Sequence, residues 1–364
     1  MPEHPETTLS TAGFGEGPIT LGAEFETYIV DDKGDVAPIN DQILSDVNDP
    51  QFQHELNKFK LEYNLSPVPA RGAPFTKMQR EADKALAKSS QAAALHNARI
   101  VPIGILPTLS IDNFQAENMT DIGRYHMLYK GLHKLRGEAF KVNINGDDPI
   151  QMESDHVTLE GANTPFQIHL RIEPEKFAES FNAAQLVTPL AIALSANSPI
   201  LLGHRLWQET RVALFKQSID SRLRGNVEWR QPSRVSFGHG WMRQSAYEPF
   251  AETVALYAPI IPMLSNQKPL AALTADFPPN LDELNLHMGT TWPWNRAVYS
   301  SSDEGHLRIE MRSIPSGPTT LDMMGNAAFF IGLTMALRVV YLTSCPQCRS
   351  ALPNIISIGR RKMA

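Results

Sequence analysis

Gly22-Ala23-Glu24-Phe25-Glu26-Thr27-Tyr28-Ile29-Val30 alternates with a period of two: Ala23, Phe25, Thr27 and Ile29 fall on one parity, Glu24 and Glu26 on the other. In a strand, side chains of one parity share a face, so the first set reads as a core face and the two carboxylates point the same way. Two fixed negative charges about 7 Å apart repel by roughly 2 kcal/mol at an effective dielectric near 20. A divalent cation between them reverses that cost. A lone Glu-x-Glu also fits a solvated polar face, so the metal reading depends on whether the device recurs.

It does recur. Phe166-Gln167-Ile168-His169-Leu170-Arg171-Ile172 places Gln167, His169 and Arg171 on one face and four apolar residues on the other. Leu307-Arg308-Ile309-Glu310-Met311-Arg312 aligns Arg308, Glu310 and Arg312, and Phe59-Lys60-Leu61-Glu62-Tyr63 carries Glu62, with Glu55 seven residues earlier. Carboxylates with one imidazole suit hard ions such as magnesium or manganese, whereas zinc sites favour histidine and cysteine. Arginines beside such metals imply an anionic ligand, most simply a nucleotide phosphate.

These segments resemble a known family. Gly22-Ala23-Glu24-Phe25-Glu26 looks like its opening Gly-x-Glu-x-Glu strand, and Ala193-Leu194-Ser195-Ala196-Asn197-Ser198-Pro199 like its helix-ending Leu-Ser-x-Asn-Ser-Pro. Leu307 to Arg312 is similar to its late Thr-x-Glu-x-Arg strand, with Arg308 where the threonine would stand, and Gln167 takes the place of a frequent histidine. The family is the bacterial glutamate-cysteine ligase type 2 group, carboxylate-amine ligases of the glutamine synthetase superfamily. The resemblance runs from about Gly17 to about Thr343. It implies an ATP-dependent enzyme that joins the side-chain carboxyl of glutamate to cysteine or another amine through an acyl phosphate. It further implies that Glu24, Glu26, Glu55, Glu62, His169 and Glu310 ligate magnesium or manganese, and that Arg312, with Arg308, contacts the ATP phosphates. Arg296 in the Trp292, Trp294, Tyr299 cluster resembles an arginine that holds a substrate carboxylate; edge packing for Arg296, and pairing with Glu310 or surface acids for Arg312 and Arg308, are the readings left open. Two other classes stay open: a metal-dependent phosphotransferase on a small acid or guanidine, and a non-catalytic nucleotide or amino-acid binding protein of the same fold.

Composition is compatible with these readings. At 364 residues and 42% hydrophobic, the chain can bury a large core. Its net charge of −6 argues against a nucleic-acid partner, which requires a basic footprint. Residues 1–18 are polar and rich in Gly and Pro, with neither a basic nor an apolar leader region, and read as a flexible lead before a single domain over 19–364. A cytoplasmic protein is expected. The apolar run Ala327 to Leu337 is too short to span a bilayer and reads as a buried helix, so no membrane partner is expected. Cys345 and Cys348 lack the second pair of a zinc ribbon and read as inert thiols.

Helical segments are expected over Thr76 to Ala98, Thr120 to Glu138, Pro174 to Ala196, Glu209 to Arg222 and Thr319 to Thr343. They do not alternate with strands at the interval of a doubly wound parallel sheet. The expected fold is therefore α+β, a mostly antiparallel curved sheet lined on one face by the site and covered by helices on the other; the resemblance makes it a glutamine synthetase-like catalytic domain. An exposed edge on such a sheet would suit a homo-oligomer. The chain has no Gly-x-x-x-x-Gly-Lys-Ser/Thr loop, and Gly13-Phe14-Gly15-Glu16-Gly17 has no strand before it or helix after it. ATP would therefore be held by metals and strand-borne side chains. Ser198, Ser236, His239 and His287 lie in no nucleophile motif.

Overall fold

The structure, a computed structural model, describes residues 13–222, 231–243, 245–266, 268–269 and 278–343. Cys345, Cys348 and the first twelve residues of the N-terminal lead lie outside them. In the remainder of the lead, Phe14 is buried and stacks on Tyr299, Arg171 Nη2 donates to the Glu16 carbonyl at 2.6 Å, and Glu16, Gly17 and Pro18 are exposed.

The strand-like segments pair into one antiparallel sheet. In chain order its strands are β1 (Thr20–Val30), β2 (Phe52–His54), β3 (Lys60–Pro69) and β4 (Arg99–Val101). After the hairpin β5 (Phe140–Ile144) and β6 (Ile150–Ser154) come β7 (Pro165–Ile172), the short β8 (Ile200–Leu201) and β9 (His204–Arg205), and β10 (Val235–Ser236) with β11 (Trp292–Pro293). The sheet is completed by β12 (Asn295–Ser300) and β13 (His306–Pro315). Its order is β12-β13-β7-β1-β3-β2, with β4 pairing β1 as a seventh strand, and every pairing in it is antiparallel. The expectation of an α+β fold with a mostly antiparallel sheet is met.

One face is apolar because one parity is apolar on four neighbouring strands. Phe25, Leu61, Tyr63, Phe166, Ile168, Leu170, Leu307, Ile309 and Met311 are all buried in one cluster. Helices α2 (Pro74–Ala94), α4 (Phe177–Ser195) and α8 (Thr320–Thr343) cover that face. Helix α2 starts at Pro74, in the first turn where a missing N–H costs nothing, and buries Met78, Ala82, Ala85 and Ser89 at helical spacing. Helix α8 opens on a reciprocal cap: the Thr319 hydroxyl bonds Asp322 Oδ2 at 2.6 Å and accepts from the Asp322 N–H at 3.1 Å. Over Thr320–Arg338 this helix is long and apolar enough to cross a membrane by length and composition alone, with 39% of that window buried. Met323, Phe330 and Thr334 face inward, while Leu321 and Phe329 are exposed. The burial expected of it is therefore one-sided.

The polar face is also roofed, which alternation did not foretell. Tyr28 and Val30 of β1 join a second apolar cluster with Phe59, Ile105, Phe114, Val142 and Leu159. A third holds Tyr125, Phe140, Phe215, Val235 and Trp294. Its helices are α3 (Gly123–Arg136), which ends on the left-handed Gly137, and α5 (Arg211–Ser218). The site thus lies between the sheet and a second layer.

Candidate active site

Strand register decides which polar side chains meet. Glu26 on β1 pairs directly with Glu62 on β3, and Glu24 with Asn64. On the other side of β1, Glu24 pairs with Gln167 of β7. His169 pairs with Glu310 of β13, and Arg171 with Arg308; Arg296 of β12 then pairs with Glu310. A row of charged positions therefore crosses five strands on one face, with Glu55 at the end of β2 completing it. Like charges placed directly opposite destabilise a sheet, so this row requires compensation.

The six residues singled out from sequence fall into two groups. Donor atoms of Glu24, His169 and Glu310 lie within 4.8 Å of one another, as do those of Glu26, Glu55 and Glu62. Three carboxylates at such spacing repel by roughly 3 kcal/mol per pair at an effective dielectric near 20, so they cannot all stay ionised without protons or cations. The first group has an internal remedy. Glu310 is wholly buried and bonded by both Arg296 and Arg312, Arg296 Nη2 reaching Oε1 at 3.0 Å. Burial opposes its charge, but the two guanidinium groups and His169 hold its carboxyl well below the usual carboxylate range. His169 Nε2 lies 3.6 Å from Glu24 Oε1, and its Nδ1 is buried with no hydrogen-bond partner.

The second group has one cation. The Lys60 ammonium bonds Glu26 and donates to the Asn163 carbonyl at 2.7 Å. Burial disfavours its charge, yet Glu26 and Glu55 hold Lys60 above its ordinary value. Even so, burial pushes Glu26 up to about 8, and burial with the neighbouring Glu24, Glu55 and Glu26 raises Glu62 well above the ordinary value. Glu55 accepts the Leu56 N–H at 2.9 Å, and Glu62 accepts from Asn64 at 2.9 Å. Oxygen donors with one imidazole, a surplus of negative charge and orphaned polar atoms on Gln167 and His169 together fit hard divalent cations.

Of the arginines, Arg312 is engaged with Glu310, the pairing the sequence left open for it, and so is Arg296, which the sequence did not pair with that residue. The Arg308 side chain makes no hydrogen bond among the described residues, and Nε of Arg308, Arg171 and Arg312 is buried and unpartnered. Two guanidinium groups at paired positions with unused donors suit an anion between or above them. Arg171 lay on the site face by alternation, but nothing in its spacing distinguished it.

Sequence reasoning also missed a cavity of about 30 Å³ beside the second group. It is lined by Glu26, Glu55, Lys60, Glu160, Arg211, Phe215, Trp294 and Arg312 among others. Arg211 is fully buried, its Nε on Glu209 Oε1 and Nη2 on the Ser313 carbonyl, both at 2.7 Å. The Asn197-Ser198 motif serves this framework: Ser198 Oγ donates to Glu209 at 2.8 Å and Asn197 Nδ2 to the Ser316 carbonyl at 3.0 Å. Lys60 shares the parity of Glu62 and was within reach of the alternation argument. Glu160 stands in a 3-10 turn without periodicity and gave no signal.

A profile of the family described as glutamate-cysteine ligase family 2 matches residues 20–337. Among solved structures, the chain is similar to glutamate-cysteine ligase from Francisella tularensis in complex with AMP, at 13% identity over 51% of this chain and 36% of that one, with a TM-score of 0.34. It is also similar to a bifunctional glutathione synthetase from Pasteurella multocida, at 11% identity over 91% of this chain and 40% of that one, with a TM-score of 0.42. The chain thus spans well under half the length of either protein. No curated protein matches at a significant level.

Proposed function

This chain belongs to glutamate-cysteine ligase family 2, and from that membership together with the site geometry we propose that it is an ATP-dependent carboxylate-amine ligase. The observation that carries the reading is the convergence of Glu24, His169 and Glu310, and of Glu26, Glu55 and Glu62, on the same sheet face as arginines with unused donors. A carboxylate acylates poorly until phosphorylated, so the reaction begins with attack of the substrate carboxylate on the terminal phosphate of ATP. The amine then displaces phosphate from the acyl phosphate. We take the side-chain carboxyl of glutamate as the acid and a small amine or amino acid, cysteine among them, as the acceptor.

Magnesium or manganese held by the two groups supplies neutralisation of phosphate charge and positioning of the transferring group. The chain's own residues do the rest. Arg308 offers its guanidinium to phosphate oxygens, and Arg171, held at Nη2 by the Glu16 carbonyl, the remainder of its own. Arg312 reaches a phosphate while still anchored on Glu310, which fixes its direction. Arg296 grips a substrate carboxylate by exchanging one of its bonds with Glu310. The roof of Phe215 and Trp294 excludes water that would hydrolyse the acyl phosphate.

The test is ADP release with glutamate alone and then with a panel of amines. Amine-dependent release is the expected result. Release that ignores every amine would make the protein a phosphotransferase, and no ATP consumption with any acid would make it a binding protein.

A further inference from the structure

The cavity holds a carboxylate that the metal reading does not use. Glu160 sits in the turn Val157–Ala162, which is pinned from several sides. Asn57 Nδ2 donates to the Thr158 carbonyl at 3.0 Å, the Thr158 hydroxyl to the Phe114 carbonyl at 2.6 Å, and the Tyr28 hydroxyl to the Ala162 carbonyl at 2.5 Å. Asn163 closes the turn by giving its N–H and Nδ2 to the Glu160 carbonyl at 2.9 and 2.7 Å. The backbone is therefore held, and the side chain lines the cavity.

Every neighbouring acid is engaged, but Glu160 is not. Glu26 has Lys60, Glu55 the Leu56 N–H, Glu62 Asn64, and Glu310 two arginines. The Glu160 carboxylate makes no hydrogen bond or ion pair among the described residues, and it belongs to neither group whose donors converge for an ion. Burial pushes it up to about 7, against the pull of Lys60. A half-buried carboxylate without a donor carries part of a desolvation cost that an incoming N–H recovers.

We propose that Glu160 receives the nitrogen of the acceptor, a small primary amine arriving as its ammonium ion, in the cavity bounded by Trp294 and Phe215; the proposal rests on the ligase reading above. Charge still leans toward a cation there: Lys60 is matched by Glu26 and Arg211 by Glu209, while Glu310 is shared by Arg296 and Arg312, so Glu160 and Glu55 together outweigh the one guanidinium left over. Glu55 belongs to the metal group, so Glu160 is left for the ligand. Size admits such a group: the cavity of about 30 Å³ exceeds the roughly 10–15 Å³ that one water-sized group requires, so an amino head fits. The aromatic walls add affinity for an ammonium ion.

The test compares Glu160→Gln with wild type in the condensation of glutamate with methylammonium or with hydroxylamine, near neutral pH with saturating magnesium. Methylammonium arrives charged and needs a carboxylate partner; hydroxylamine arrives neutral and does not. The KM for methylammonium is expected to rise about 30-fold, within the range of one charged hydrogen bond, while the values for hydroxylamine, ATP and glutamate stay unchanged. Equal loss with both acceptors, an unchanged KM for methylammonium, or one fewer manganese ion bound per variant chain would each overturn the proposal. Should the glutamine variant melt before assay, Glu160→Asp must give the same selective rise. Wild-type protein that consumes no ATP with glutamate and either acceptor, or whose ADP release no amine accelerates, refutes the ligase reading itself, whereas release that hydroxylamine accelerates and methylammonium does not refutes only this subsite.

Discussion

The two acid groups sit on the same sheet face about one strand apart, yet they solve the same problem in opposite ways. Around Glu310 the chain supplies its own counter-charges, two guanidinium groups and an imidazole, and the carboxyl is held ionised. Around Glu26 and Glu62 it supplies only Lys60, and the carboxyls are pushed toward their protonated forms. One region is therefore a finished electrostatic unit and the other an unfinished one. A buried ion pair that loses one partner is strongly destabilised, whereas crowded like charges relax when one is removed.

The largest expected effect follows from that contrast. Glu310→Gln leaves the partly buried Arg296 and Arg312 without their wholly buried counter-charge and should lower stability by about 3 kcal/mol, read as a drop in chemical-denaturation midpoint, with turnover lost as well. Glu62→Gln should cost about 10²–10³-fold in kcat but raise the stability of the cation-free protein at mildly alkaline pH by about 1 kcal/mol. Loss of stability in both variants would erase the distinction.

The pH profile sharpens it further. Glu26, near 8, Glu160, near 7, and Glu62 keep protons in the folded state that the unfolded chain has already released. Their contribution is whole at low pH and declines as pH rises from the ordinary carboxylate value through about 8. Glu310, held low, contributes above the ordinary value and loses its contribution as pH falls below it. Without divalent cations the melting temperature should thus peak near about pH 5, and magnesium should flatten the alkaline decline, because binding requires deprotonated carboxylates. A cation-free profile that keeps rising to pH 8 would contradict the assignment. The smallest effect is that of Arg308→Ala, whose side chain has no hydrogen bond to lose: the KM for ATP should rise about tenfold, one charge-assisted bond, with the melting temperature unmoved.

Much of this site was legible because a strand writes its faces into sequence parity. Glu24, Glu26, His169, Glu310 and Glu62 each stood opposite an apolar parity, and the sheet that joined them followed from the same alternation. Glu55 came with Glu62 by spacing and lies just past β2. What parity cannot express is register and roof. Nothing in Leu307 to Arg312 said that Glu310 would also meet Arg296, since that depends on β12 pairing with β13. Glu160, Arg211 and Phe215 come from a turn and a short helix in the second layer, where hydrogen bonds from Asn57 and Tyr28, and one from Arg211 to the Ser313 carbonyl, fix position and no period repeats. Helix α8 was legible as a helix, but its exposed Leu321 and Phe329 were not, because a nearly uniform apolar segment has no polar face to mark.

Manganese titrated into cation-free protein near neutral pH, followed by calorimetry in two buffers of different ionisation enthalpy, tests the unfinished group most directly. The account predicts that binding releases about one proton per ion, and that Glu62→Gln abolishes this proton-linked event. Binding without proton release, or no binding even in the presence of a non-hydrolysable ATP analogue, would contradict it.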